Sequence, residues 1–153
     1  MANAILTRII SGAAFDIDIA AVPNAHARSA SYVNNSGLYP AAIVSVQVTA
    51  GANAPTVNTA YDYYLLRWND QGKGTDGTNL VKSGWTPQNA VPLGSIVVSG
   101  VANMIYVAEF DTAPLGPLGE FWSVGLKNTT GQAAHSTPSN HYIRFSYYYP
   151  EVQ

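Results

Sequence analysis

The 153-residue sequence contains no cysteine. That excludes a disulfide framework, thiolate metal sites and a cysteine nucleophile, and it leaves the redox compartment open. Charge is scarce as well: Asp, Glu, Lys and Arg make up 10% of the chain, against about 25% in an ordinary soluble domain. The seven cations (Arg8, Arg28, Arg67, Lys73, Lys82, Lys127 and Arg144) are scattered, and the formal net charge is −2. The clustered basic footprint of a nucleic-acid binder is therefore missing. No run approaches the roughly 18 apolar residues of a membrane-spanning helix. The first fifteen residues hold one cation, Arg8, between apolar runs too short for a signal-peptide core. These gaps lead us to expect a protein made and folded in a cytoplasm, with neither nucleic acid nor membrane as a partner.

What fills the sequence instead is apolar and aromatic: 47% hydrophobic residues, with ten tyrosines and three tryptophans. A chain of this length can bury roughly 68–70% of its unfolded surface, so its core needs no staple. A surface with so little charge is easiest to understand if part of it packs against neighbours, since a freely soluble surface carries roughly 25–35% charged residues. Assembly is the leading expectation from composition.

Strand signals dominate the pattern. Residues 15–19 (FDIDI) alternate strictly, with Phe15, Ile17 and Ile19 on one face and Asp16 and Asp18 on the other. Residues 43–49 alternate in part, with Val44, Val46 and Val48 as the apolar face. Residues 61–68 (YDYYLLRW) are aromatic on both faces, which suits a strand packed on both sides. Residues 95–99 and 104–110 read as neighbours joined by a turn at 100–103. Residues 121–127 and 142–149 complete the series, with 5–10 and 29–33 as weaker candidates. Between them lie turn clusters: Asn34-Asn35-Ser36-Gly37, residues 51–55, the polar loop 69–79 and the proline-rich 113–119. No stretch of ten residues shows a capped 3.6-residue period. Eight or nine short strands predict a single all-β domain over 1–153, an antiparallel β-sandwich that is jelly-roll-like with about eight strands.

Chemical constellations are thin. His135 and His141 flank a turn without an adjacent carboxylate, and His26 sits in a loop, so solvent-facing histidines outweigh a metal site. Asp70 and Asp76 share a glycine-rich loop rich in oxygen ligands, but the spacing misses the twelve-residue calcium loop and Lys73 opposes a cation. Glu109 and Asp111 share a strand face, as do Asp16 and Asp18; polar strand faces give such pairs routinely, and a glycosidase needs two carboxylates across a cleft. No Gly-x-Ser-x-Gly elbow occurs. Two sequon triplets, at Asn34 and Asn128, carry no weight without a secretion signal. The expectation is no enzyme, no cofactor and no metal. The tyrosines and tryptophans divide between core packing and contact with sugar or protein, and sequence alone does not separate these.

The order of motifs resembles small tailed-bacteriophage virion proteins. The residues that carry it are Tyr63-Tyr64-Leu65-Leu66-Arg67-Trp68-Asn69-Asp70, the Gly/Asp/Thr loop 74–78 and the strand 93–98. The segment 109–119 (EFDTAPLGPLG) and the run 122–133 (WSVGLKNTTGQA) extend it. It covers roughly residues 40–150 and is most similar to jelly-roll capsid decoration (cement) proteins. The resemblance implies a homo-oligomer, with a trimer favoured, on the outer surface of a capsid, where it stabilises the shell through contacts with the major capsid protein. No catalytic residues belong to that pattern. The expected contact segments are the stiff apolar loop with Pro114, Leu115, Pro117 and Leu118, and the loop residue Trp85. The alternative for both is a loop folded back over the end of the sandwich. The alternative function is a glycan- or receptor-binding module of a phage tail fibre or spike.

Overall fold

The computed structural model of the chain describes residues 5–10, 12–68, 81–85, 88 and 90–152. Ten strands run through it: β1 (Ile5–Ile10), β2 (His26–Ser29), β3 (Val33–Asn34), β4 (Ala41–Thr49), β5 (Ala60–Trp68), β6 (Val81–Ser83), β7 (Val91–Val97), β8 (Ile105–Asp111), β9 (Phe121–Asn128) and β10 (Tyr142–Val152). One sheet has the order β1-β10-β4-β8; the other has the order β6-β2-β9-β5-β7, with β3 alongside β9. Every pairing is antiparallel.

The topology follows from one long fold-back. Ile5 pairs with Val152, Ala27 with Lys127, Ile43 with Asp111 and Ala60 with Val97. These partners lie symmetrically about a point near residue 77. The chain is thus a double-stranded ribbon bent so that successive segments fall alternately in the two sheets, and β10·β4 and β9·β5 then close each sheet. That is the wrapping of a jelly roll, and the two-sheet sandwich is as the strand pattern predicts.

The core lies between the sheets because alternation directs one face of each strand inward. β4 contributes Val44, Val46 and Val48, β5 contributes Tyr61, Tyr63 and Leu65, β9 contributes Trp122, Val124 and Leu126, and β10 contributes Ile143, Phe145 and Tyr147. Trp122 is the hub. Phe15 and Phe145 meet it edge-on at 5.1 and 5.0 Å, and its indole N–H donates to the Tyr147 hydroxyl at 3.0 Å. Tyr39 stacks on Tyr147 at 4.7 Å. Most of the aromatic content is therefore interior.

Three strand assignments need correction, one of them 29–33, of which only Ser29, the end of β2, and Val33, the start of β3, lie in strands. Residues 15–19 bury Phe15 and Ile19 while Asp16 and Asp18 face out, as the alternation requires. They form no ladder strand, however, because this segment carries the chain from one sheet to the other. It touches β10 through the Ala14–Arg144 bridge and the Phe15 N–H to Ile143 C=O bond of 2.8 Å. Gly12 opens that crossing: a Cβ there would fall 1.2 Å from the Phe145 carbonyl oxygen. Third, β7 and β8 are joined by a turn but are not paired. β7 pairs with β5 and β8 with β4, in opposite sheets.

Candidate interaction surface

The two outer faces of the sandwich differ. On the β6-β2-β9-β5-β7 sheet the outward residues of β5 and β9 are covered by the chain itself. Leu66 and Phe121 form a second small cluster with Tyr32 and Ala90. Tyr32 meets Phe121 edge-on at 5.2 Å, and Trp85 meets Tyr64 edge-on at 5.0 Å. The buried Ser123 hydroxyl donates to the Ala30 carbonyl at 2.9 Å, so even the polar residue of this face is satisfied internally.

The outer face of β1-β10-β4-β8 is covered at one end, where the Asn140 carbonyl accepts from the Gln47 side chain at 3.2 Å and from the Thr49 hydroxyl at 3.0 Å; among the described residues the rest of it is open. The ladder register builds it row by row: Ile9 beside Tyr148; Ser146, Ile43 and Asp111; Arg144, Ser45 and Glu109; Tyr142, Gln47 and Val107. Ile9 is 69% exposed, Val107 64% and Ile105 58%. β8 is apolar on both sides, with Tyr106, Ala108 and Phe110 against the core and Ile105 and Val107 in the open. Two shallow hollows mark the face. One of about 330 Å³ is lined by Ser45, Val107, Glu109 and Tyr142 among others, and one of about 310 Å³ by Ile9, Ile43, Asp111, Ser146 and Tyr148.

The polar groups here are tied to each other. The Ser45 hydroxyl donates to Glu109 at 3.0 Å, and the Arg144 guanidinium lies 4.7 Å over the Tyr142 ring. The Tyr148 hydroxyl donates to Asp111 at 2.5 Å. Desolvation, followed by the hydrogen bond and negative charge of Asp111, pushes that phenol up to about 12. Glu109 and Asp111 stand side by side on an open sheet face, not across a cleft from each other.

The expected contact residues divide. Pro114 and Pro117 are exposed and Leu115 is half-buried against the core. Trp85 is 3% exposed and Leu118 fully buried, so neither offers a contact surface. The physical reason is the folding back of residues 113–119 over the sandwich end. The Leu118 N–H donates to the Pro40 carbonyl at 3.3 Å, Arg67 donates to the Pro117 carbonyl at 2.8 Å, and the Asn35 side chain donates to the Gly119 carbonyl at 2.9 Å. Ile9, Ile105 and Val107, which sequence reasoning passed over as surface residues, are the exposed ones. The signal available was the apolar character of both faces of residues 104–110.

No protein-family model matches the chain, and no characterised protein matches its sequence.

The remaining constellations resolve into structure. His141 accepts from the Thr49 N–H at 3.3 Å and donates through Nε2 to the His135 carbonyl at 2.8 Å, so both ring nitrogens are engaged. Burial holds its imidazole below the ordinary value. His135 Nδ1 accepts from the Thr137 N–H at 3.1 Å, and Asn140 lies 3.2 Å from the same nitrogen. Among the described residues no group of three His, Asp or Glu side chains is placed to hold a metal. Asn128 is fully buried; its amide donates to the Val22 and Gln132 carbonyls, and its oxygen accepts from Thr130. That sequon is a structural loop in the folded chain. The Asp70/Asp76 loop lies outside the described residues.

Proposed function

We propose that the chain is a non-enzymatic structural protein of a phage virion, a capsid decoration (cement) component that docks on major capsid subunits. The observation that carries this reading is the largely open outer face of β1-β10-β4-β8, with Ile9 exposed at one end and Ile105 and Val107 at the other, beside a second sheet on which the outward residues Leu66 and Phe121 are covered by the chain itself. Ile9, Ile105 and Val107 stand in water on this face, and a contact that covered them would gain the free energy of their burial. The low charge of the whole sequence and its resemblance to jelly-roll decoration proteins support the same reading. A shell protein acts through many repeated contacts, so a modest apolar face on each copy becomes strong attachment by avidity.

The test is co-sedimentation of the purified chain with virions grown from the genome that encodes it. Wild type pellets with particles. Ile9→Lys, at a site already in solvent, weakens attachment about tenfold or more without loss of folding. Equal pelleting of Ile9→Lys and an Ile9→Lys/Ile43→Lys double variant counts against the face, and no pelleting of wild type sinks the reading.

A second reading, a glycan- or receptor-binding module of a tail fibre or spike, has one observation in its favour. The hollow holding Tyr142, Glu109 and Ser45 combines a ring, a carboxylate and a hydroxyl, the groups that sugar sites use. It requires binding on a glycan array that Tyr142→Ala abolishes.

A further inference from the structure

Among the described residues the sandwich has four sheet edges, and three are protected against pairing with another chain. β6 is three residues long and carries Lys82. β7 carries Pro92, which has no N–H to offer, and a register break opposite Tyr63 and Tyr64. β1 carries Arg8, and its register against β10 slips by one residue between Ile10, opposite Tyr147, and Ala14, opposite Arg144. Charge, proline and irregularity are the devices by which native edges avoid strand addition. β8 has none of them along its first half. It pairs with β4 over seven consecutive positions without a break and contains neither proline nor a cation.

The backbone of β8 is also set for pairing. The Ala50 N–H donates to the Met104 carbonyl, and the Thr112 N–H donates to the Ala42 carbonyl. Even-numbered residues of this strand therefore turn their peptide groups toward β4. By the alternation of an antiparallel ladder, the N–H and C=O groups of Ile105, Val107 and Glu109 point away from the sheet.

Apolar surface gathers at the same edge. Of the eight large apolar side chains exposed among the described residues, six are Val57, Val97, Val101, Met104, Ile105 and Val107. Val97 stands on the lip of one sheet, and Ile105 and Val107 on the lip of the other. Val57 is held at the connecting turn, where a Cβ on Gly100 would come within 2.5 Å of its methyl. Ile105 and Val107, on β8 itself, are the side chains that a strand added to this edge would cover, whereas Val97 faces out from the opposite sheet because Ile96 and Val98 face the core.

We propose that β8 is the joint of a homodimer, pairing antiparallel with β8 of a second copy about a two-fold axis. An isologous contact needs one self-complementary surface, and an unprotected antiparallel edge is such a surface. Charge sets the register. No Lys or Arg occurs between residues 84 and 126, so the β8 strand of a second copy offers Glu109 and Asp111 no cation of its own. An axis at Tyr106 places Ile105 opposite the partner's Val107 and Glu109 opposite the partner's Asn103. The carboxylates then lie at the two far ends of the joint. An axis at Ala108 sets Val107 against the partner's Glu109 and is disfavoured. The dimer leaves the β1 side of the same sheet free for a shell. It also gives two copies per unit, in place of the trimer that the family resemblance implies.

This inference deepens the assembly reading and rests on it for the self-association of the chain; its test needs no particle. Sedimentation equilibrium of the purified chain gives a dimer. Val107→Lys weakens self-association about 100-fold, with an unchanged circular dichroism spectrum, because it sets two cations diagonally across the axis, each against an isoleucine of the other copy. Leu38→Lys, at the most exposed apolar side chain away from this edge, leaves the dimer intact. A wild-type monomer, a trimer, or a dimer that both Val107→Lys and Ile105→Lys leave undisturbed overturns the joint. A dimer that ignores virions removes the shell reading and keeps the joint; a monomer that binds virions does the reverse.

Discussion

Replacing Leu118 with alanine separates a sandwich-closing loop from a contact loop. Leu118 is fully buried within the main core, although it follows Pro117 in a segment whose other members reach solvent. The substitution deletes three carbons, worth about 0.8 kcal/mol each in transfer free energy, or ~2.4 kcal/mol. A residual cavity adds to this, and buried Leu→Ala changes cost about 2.7–5 kcal/mol in all. The loop is anchored on both sides by the Arg67 to Pro117 and Asn35 to Gly119 hydrogen bonds. It cannot collapse freely into the space, which favours a figure of about 3–4 kcal/mol. For a chain of this size each kcal/mol moves the melting temperature by about 2–4 °C, giving a drop of roughly 6–16 °C. Pro114→Ala, at an exposed position, is the companion measurement and changes stability by less than about 0.5 kcal/mol. Urea denaturation followed by circular dichroism, checked for an unchanged slope, measures both. A Leu118→Ala variant within 0.5 kcal/mol of wild type, in the monomer or the dimer, refutes the placement of this loop as core.

Three further outcomes are expected. The Tyr63 hydroxyl is buried with no hydrogen-bond partner among the described residues. Tyr63→Phe therefore leaves stability unchanged or raises it by about 1 kcal/mol in urea melts, and a loss above that shows a partner in place. His141 is held below the ordinary imidazole value, chiefly by burial. The unfolded chain takes up the proton first, so its contribution is complete above about pH 6.5 and is lost as pH falls through the lowered folded value. Unfolding midpoints between pH 8 and 5 should flatten in His141→Gln, and an unaltered slope rules the residue out. Asp111→Asn should bring the Tyr148 phenol down from about 12 toward 10. Ultraviolet titration of tyrosinate reads it, and a Tyr148 value that does not move excludes the pairing.

The fold was legible because strands advertise themselves locally. The aromatic run 61–68 predicts a strand packed on both faces, and Tyr61, Tyr63 and Leu65 enter the main core while Leu66 enters the second cluster. The interaction surface was less legible. In the sequence, the loop residue Trp85 and the prolines beside leucines in 113–119 suggest docking. Burial of Trp85 against Tyr64, and of Leu118 beneath the sandwich end, depends on partners far away in sequence.

The sequence by itself determined the class of structure: period-two alternation, turn residues between short apolar runs, and no cysteine left a β-sandwich as the way to bury so much valine and tyrosine. It also determined that charge would be scarce on whatever surface formed. Only the tertiary structure decided where that scarcity falls. Alternation assigns residues to two faces of a strand but does not say which face of a strand apolar on both sides meets the core. For β8 that choice is made by the register with β4, which turns Tyr106, Ala108 and Phe110 inward and leaves Ile105 and Val107 outside. The same register points the free peptide groups of β8 away from its own sheet.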